Sequence, residues 1–587
     1  MADPSHSGIP SRNLALRDCV LLMTVCGVVL WLGLGTTHLW DQDEGYYASV
    51  AREMFDRQDW IVPTFNQELF AHKPPMMYWG MLVGFQLFGV CEFAARWASA
   101  IFGTGMVLLT YALGRMLIDR RTGLLGSLVL VSSLMFTVVA RSATADVHLG
   151  FFILLAITIW VRDAKRSLAQ GLKQDHGFPV TCMSTWVGIY LSIALAVLSK
   201  GPIGFVFPIA ILGTLTLMWP WIEGKKCVLR DLVSIKRFGL ATLSMRPFAG
   251  AAVLLAIAAP WFLMVNQKTG GAFLAEFFGV QHLERFSKPM DNHSGPIYYY
   301  VLTVLIGFFP WTSFAIPIGL HAKEALKSTP RRFAWSVLLV WAFFYLAIFS
   351  VASTKLPNYI IPAYPAFALW IGSYFSGWLD ANPSGQWEAR GRWQFAGWSF
   401  TVLSGVLVLS VTILLAFGLV PTVTETLSMD SKLIPAVLSF AWLGALLFAG
   451  GIAGLLFLRF GSGRHGVALA ICLSIAWVSL IWQWILPRID RLQTPQQIAL
   501  EYIEPMEGKF AVVGMFRPSM VFYSQSALNF CQDDRALEET LIDQLPSLVV
   551  VNDSSQHAKN LLDKHGYRLA ESVESFPKKG LINIYRR

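Results

Sequence analysis

Apolar runs about 20 residues long, enough to cross a hydrocarbon core as a helix, recur from Cys19 almost to Pro487 and are broken by short polar loops. They predict spans at approximately 19–39, 94–114, 123–141, 147–161, 184–199, 202–221, 247–266, 297–320, 333–352, 357–379, 395–419, 434–457 and 465–486. The run Met76–Val90, "MMYWGMLVGFQLFGV", is shorter, at about 15 residues, and suits a helix or re-entrant piece at the interface. The total is then about 13 spans. The first, Cys19–Leu39, follows Arg12 and Arg17 as a signal peptide would. Its length and the want of a small-residue cleavage site make it an uncleaved first helix.

From Gln497 onward the pattern changes to short β-like runs, "KFAVVGMF", "SLVVVND" and "GLINIYRR". Helical stretches such as "DDRALEETLIDQL" and "SQHAKNLLDKHGY" separate them. The expected organisation is a polytopic α-helical membrane unit over 1–490, with a first outer loop at 40–93, and a small soluble α/β domain over 491–587. The latter carries no phosphate loop and no triad, so capping or steadying the membrane part is its expected role, with direct substrate contact as the alternative.

Composition agrees: 55% hydrophobic and only 14% charged residues among 587 exclude a soluble enzyme. Seven cysteines are scattered without metal-type spacing, and Cys19, Cys26 and Cys472 lie inside apolar runs, so they read as packing residues. The formal charge of +9 matters through its placement. Basic loops at Arg115/Arg120/Arg121, Arg162–Lys173, Lys225–Arg246, Lys323–Arg332, Arg390/Arg392 and Arg459/Arg464 share the inner side with Arg12 and Arg17 if Met76–Val90 does not cross. The C-terminal domain then lies outside, with Asp41–Pro75, Arg141–Asp146, Ser199–Pro202, Lys268–Pro296 and Ser353–Pro357. No nucleic-acid partner is expected.

Those outer stretches hold the unusual polar residues. "WDQDEGYYASVAREM" places three carboxylates in four positions; alone, it would pass for a solvated helix end or an N-cap. Its company on the same face is "FNQELFAHKPPMMYW", "ARSATADVHLGFF", "LSKGPIGFVFP", "FFGVQHLERFSKPMDNHSGPIYYY" and "STKLPNYIIPAYP". Each puts a charge or His beside Gly or Pro at a helix edge, where ionisable groups are costly and point to function.

The order of "DEGYYASVAREM", "DWIVPTFN", "HKPPMMYW", "KGPIGFVFP", "HSGPIYYY" and "KLPNYIIPAYP" over roughly residues 15–375 resembles the GT-C glycosyltransferases of the aminoarabinose transferase and protein O-mannosyltransferase group. These take a sugar from a polyprenyl-phosphate carrier on the outer side of the membrane. The resemblance implies a 13-helix GT-C fold with interfacial helices in the first outer loop. It implies Asp43 as the essential carboxylate, Glu44 beside it, and Asp146 as a second acidic group. In the aminoarabinose branch an Arg usually stands two places after that Glu and a Glu usually precedes the Lys-Pro; here Tyr46 and His72 occupy these positions, which weakens a specific assignment to lipid A.

The chemistry supplies reasons for these residue types. A departing lipid phosphate needs cations, and Lys73, Lys200, Arg285 and Lys355 are available, with Tyr46, Tyr47 and Tyr359 as further substrate-binding candidates. A hydroxyl acceptor needs a general base, for which Asp43 is the candidate; a phosphate acceptor would need only orientation. By analogy with the family the displacement inverts C1. His72 and His282, with Glu276 and Glu284, could hold a divalent Zn or Mn or simply hydrogen-bond in a wet cavity. The partners expected are a polyprenyl-phosphate-linked sugar, a lipid, glycan or protein acceptor, and membrane lipids. The expected location is the bacterial inner membrane, multi-pass, with the site on the periplasmic side. The rivals are a lipid or glycan transporter or flippase, which would need access from both sides, and a ligase or polymerase using a diphosphate-linked donor.

Overall fold

A computed structural model describes residues 11–171, 178–179, 181–225, 234–284, 294–325, 331–380, 387–419, 433–460, 463–552, 556–575 and 580–587. Helix α1 (Ser11–Cys26) continues through a wider turn to Trp31. The loop after it builds α2 (Asp43–Asp56), a two-stranded hairpin of β1 (Thr64–Phe65) and β2 (Glu68–Leu69), and α3 (Met76–Phe88). Two carboxylates, Asp43 and Glu44, occupy the first turn of α2, where the helix dipole favours them. Helix α3 starts after Pro74–Pro75 and stops at Gly89, whose φ of 77° is open to glycine. Its 13 residues span about 20 Å, too short to cross.

The membrane helices follow: α4 (Glu92–Leu117), α5 (Arg120–Val131), α6 (Leu134–Arg141), α7 (Asp146–Gln170), α8 (Met183–Lys200) and α9 (Ile203–Leu217). "SKGP" explains the break between the last two: Gly201 takes φ 77°, and Pro202 opens α9. A side chain on Gly204 would lie 2.3 Å from the Ala196 backbone, so this hairpin closes backbone against backbone. Farther on, α10 (Arg332–Val351) ends at "STKLP", and the chain turns through Pro357–Ala363 into the helix Tyr364–Asp380.

Among the described residues, 8 helices are long and apolar enough to span, or up to 11 if three bent pairs are each one span. The expected spans at 202–221 and 357–379 are the shorter helices Ile203–Leu217 and Tyr364–Asp380, so length and composition alone do not reach about 13.

The C-terminal residues form a five-stranded sheet in the order β4-β3-β5-β7-β6, where β3 is Phe510–Val513, β4 Leu528–Cys531, β5 Leu548–Asn552, β6 Arg568–Glu574 and β7 Leu581–Arg586. Strand β3 runs parallel to β4 and β5, while β7 runs antiparallel to β5 and β6. Alternation along β3 divides two cores. Ala511 and Val513 pack with Leu537, Leu541, Ala558 and Leu562 of the helices Asp534–Asp543 and Gln556–Lys564. Phe510 and Val512 instead join Met520 and Phe522 of α11 (Pro518–Ser524), and this core continues into Tyr47, Val50, Met54, Met77 and Phe85 of α2 and α3. Each large apolar side chain so buried contributes about 1.5–3 kcal/mol, so sheet and loop are welded by one core rather than hinged.

Candidate active site

The acidic pair that opens α2 is split by its environment. Glu44 is buried and paired with Arg96 of α4, each carboxylate oxygen accepting from the guanidinium at 2.8 Å. It also accepts from the Ala143 amide at 2.8 Å and the Trp40 amide at 3.1 Å. Arg96 donates further to the carbonyls of Leu34, Thr37 and His38. Glu44 and Arg96 thus lace together the end of the first span, the start of α2 and the loop before α7. Asp43, one residue earlier, is exposed. Of the two, Glu44 holds the turn and Asp43 is left open to solvent.

A second cluster joins three interhelical loops. Asp146, the first residue of α7, is buried and accepts from the Lys200 ammonium and, at 2.9 Å, from the Asn358 amide. Lys200 also lies 4.8 Å from the centre of the Tyr359 ring, a cation–π distance. "TADVH", "LSKGP" and "KLPNY" therefore converge. Asn358 was not foreseen from the sequence, although it stands inside one of these motifs.

The third cluster lies on the loop between α2 and α3. The Lys73 ammonium donates to the His72 carbonyl at 3.3 Å and sits 5.9 Å from the Tyr47 ring centre. Tyr46 stacks on Phe70 at 5.3 Å, and the His72 ring stacks on Phe70 at 3.9 Å. Ala71 shares an apolar cluster with Ala194 and Leu198 of α8, while Ala143 and Ala145 share one with Tyr47 and Tyr78. The loop carrying Lys73 is thus packed beside both segments that supply Asp146 and Lys200.

Lys355 belongs to a different arrangement. It is buried, and its ammonium donates to the carbonyls of Phe349, Ser350 and Ala352 at 3.4, 2.8 and 2.7 Å. It therefore caps the C-terminal end of α10, where a cation meets the negative end of the helix. Burial draws its pKa down, and the three carbonyls answer for the charge. Arg285 and the side chain of His282 lie outside the described residues. Among the described residues no three His, Cys, Asp or Glu side chains converge as metal ligands, and the His72 ring lies against Phe70.

Sequence reasoning passed over Arg96, although a charge inside an apolar helix is a signal in itself. It also missed the contacts from the C-terminal sheet: Tyr523 accepts from the Leu39 amide at 2.7 Å and donates to Glu92 at 3.0 Å. Burial pushes its phenol far up, so it stays protonated and able to donate.

Residues 19–272 match the dolichyl-phosphate-mannose-protein mannosyltransferase family. The chain is 29% identical to the undecaprenyl phosphate-alpha-4-amino-4-deoxy-L-arabinose arabinosyl transferase of Yersinia pestis (strain Pestoides F), over 82% of its length and 79% of that protein. It is 30% identical to an uncharacterized protein of Aquifex aeolicus (strain VF5) over 60% of its length, spanning 63% of that relative. In structure it is similar to ArnT from Cupriavidus metallidurans bound to undecaprenyl phosphate, with a TM-score of 0.72, 21% identity and coverage of 96% and 97%. The oligosaccharyltransferase of Archaeoglobus fulgidus is more distant, with a TM-score of 0.52, 13% identity and coverage of 92% and 70%. These structures share the GT-C fold.

Proposed function

We propose that this chain, which is similar to the aminoarabinose transferases and matches the protein-mannosyltransferase family model over residues 19–272, is a GT-C membrane glycosyltransferase that moves a sugar from a polyprenyl-phosphate carrier to an acceptor hydroxyl on the outer, periplasmic face of the inner membrane. The observation that carries this reading is the split acidic pair: Glu44 is held by Arg96 while Asp43, next to it, stands exposed on a braced turn. Asp43 takes the proton of the acceptor hydroxyl as its oxygen bonds to C1. The C1–O bond to phosphate breaks, and its electron pair leaves with the lipid phosphate. One displacement inverts C1.

Lys73 meets the charge that gathers on the departing phosphate. Lys200 is already compensated by Asp146, so this pair with Asn358 and Tyr359 shapes the donor side. Tyr46 and Tyr47 supply aromatic wall beside Lys73. No step is routed through a metal. The reading includes about 13 spans, a membrane unit over 1–490 and an outer domain over 491–587. Tyr46 and His72, where the aminoarabinose branch usually has Arg and Glu, favour a sugar or acceptor other than that branch's.

The test is mass spectrometry of envelope lipids and glycans from cells with the gene, without it, and with Asp43→Asn. The expected result is a gene-dependent mass of one pentose, hexose or amino sugar, absent with Asp43→Asn. A mass difference that persists in full with Asp43→Asn overturns the assignment of the base.

A further inference from the structure

Between the Arg96-held Glu44 and the end of the first span lies Gln42, with φ 68° and ψ −115°. A residue with a side chain holds such a conformation only when its surroundings over-determine it. Both flanks are fixed. Downstream, the Tyr46 amide donates to the Gln42 carbonyl at 2.8 Å, and the Gly45 amide to the Trp40 carbonyl at 2.9 Å. Upstream, Asp41 is fixed by residues far away in the chain: it accepts from the Ser519 amide at 3.2 Å and from the Ser519 hydroxyl, and faces Arg517 at 3.4 Å. Ser519 is fully buried. A side chain on Gly45 would lie 2.6 Å from the Ser519 nitrogen, so the two segments meet with no room to slide.

We propose that the C-terminal sheet unit positions the catalytic turn: Ser519 and Arg517, by gripping Asp41, hold Gln42 in its left-handed conformation and so aim Asp43 at the acceptor. The proposal rests on the reading of Asp43 as base. It gives the C-terminal unit a part in the reaction without any contact with substrate, beyond capping the membrane part.

The grip is not needed merely to dock the unit. Docking has its own bonds: Arg52 donates to the Phe522 carbonyl at 2.6 Å, and Asn66 exchanges two bonds of 2.8 Å with the backbone of Leu528. The apolar core shared by loop and sheet adds to these. Losing the Ser519 hydroxyl or the Asp41 charge therefore leaves the interface closed and frees only the turn. A general base needs its oxygen within hydrogen-bond reach of the acceptor, and a displacement of about 1 Å costs up to about 100-fold in rate.

The experiment uses the full chain in membrane vesicles, reading the rate of gene-dependent glycan formation and, separately, the affinity for undecaprenyl phosphate. Ser519→Ala and Asp41→Asn are expected to slow transfer about 10-fold to 100-fold with undecaprenyl phosphate affinity unchanged within about twofold. Ser519→Thr, which keeps the hydroxyl, should retain more of the rate than Ser519→Ala. Adding Gln42→Gly to Ser519→Ala should recover part of the rate, because glycine adopts the turn without the grip. Asn66→Ala, which weakens docking away from the turn, should leave the rate near the parent. Parental rates in Ser519→Ala and Asp41→Asn, an equal loss in Asn66→Ala, or no recovery with Gln42→Gly each overturn the proposal. Parental activity in Asp43→Asn instead overturns the base itself, so the two failures are distinguishable.

Discussion

Arg96 holds Glu44 through two parallel hydrogen bonds of 2.8 Å in a buried setting, while Asp43, the neighbouring carboxylate, is exposed. Substitutions of the two should therefore differ in kind. Asp43→Asn should fold and express like the parent and lose transfer by about 10²- to 10⁴-fold, as for a removed general base. Glu44→Gln strands a buried guanidinium, and breaking such a pair costs about 3–5 kcal/mol. Detergent melting curves of both variants, beside their transfer rates, decide the matter; a destabilised Asp43→Asn or a stable Glu44→Gln contradicts the division of roles.

Lys73 is predicted to act through its charge on the donor phosphate. Lys73→Ala should weaken binding of a non-hydrolysable polyprenyl-phosphate analogue, because a phosphate in a low-dielectric cleft is expensive without a cation. Lys73→Arg should retain part of that affinity, with altered reach and fork geometry. Equal affinities in all three proteins would remove Lys73 from the site.

Sidedness follows from the basic loops. Gln67, on the hairpin turn that packs beside the C-terminal sheet, and Gly171, past the end of α7, are both exposed. A cysteine at Gln67 should react with an impermeant thiol reagent on intact spheroplasts, and one at Gly171 only after lysis. Label at Gly171 alone would reverse the orientation.

Much of this arrangement was legible in the sequence because it is written locally. Helix breaks fall at "SKGP" and "KLPN" where Gly and Pro force them, β3, β5 and β7 of the C-terminal sheet are short β-rich runs while β4 and the polar β6 were not foreseen, and the short run before Val90 is the short helix α3. What stayed hidden depends on partners distant in the chain. Nothing within "WDQDEG" says that Asp41 turns to Ser519 and Glu44 to Arg96, leaving Asp43 outward. Likewise Lys200 and Lys355 look alike, each a lysine beside a Pro-containing turn. Only packing reveals that one pairs with Asp146 and the other closes the end of α10. A periodic pattern reports burial, whereas the choice among buried carboxylates is made by tertiary contacts.

His38 gives the same region a pH dependence. Its ring is 2.9 Å from Asp490 at the end of the last membrane helix, and the hydrogen bond to that carboxylate raises its pKa above 6.5. A raised folded-state value means that protonated His38 stabilises the fold fully below the unfolded pKa, and that this contribution is lost as pH rises through the folded one. Melting temperature should therefore fall as pH climbs above about 6.5, the ordinary histidine value, with a shallower fall in His38→Asn. Parallel pH profiles for the two proteins would show that the bridge carries no proton-linked stability.

Asp146 and Lys200 offer the last prediction, a test of whether they act as one unit. Each is buried, and each compensates the other's charge. Asp146→Asn leaves a buried ammonium near Tyr359, and Lys200→Met leaves a buried carboxylate that keeps the Asn358 amide. Either single change should destabilise by about 3–5 kcal/mol. The double variant Asp146→Asn/Lys200→Met removes both charges together, so it should be clearly more stable than the sum of the singles, with a coupling of about 1–3 kcal/mol. Transfer makes the sharper distinction. If the pair only braces three loops, the double variant regains activity along with stability. If Lys200 also faces the donor, the double variant melts normally and still binds the polyprenyl-phosphate analogue poorly. Our assignment of the pair to the donor side expects the second result, and full recovery of both properties would reduce Asp146 and Lys200 to architecture.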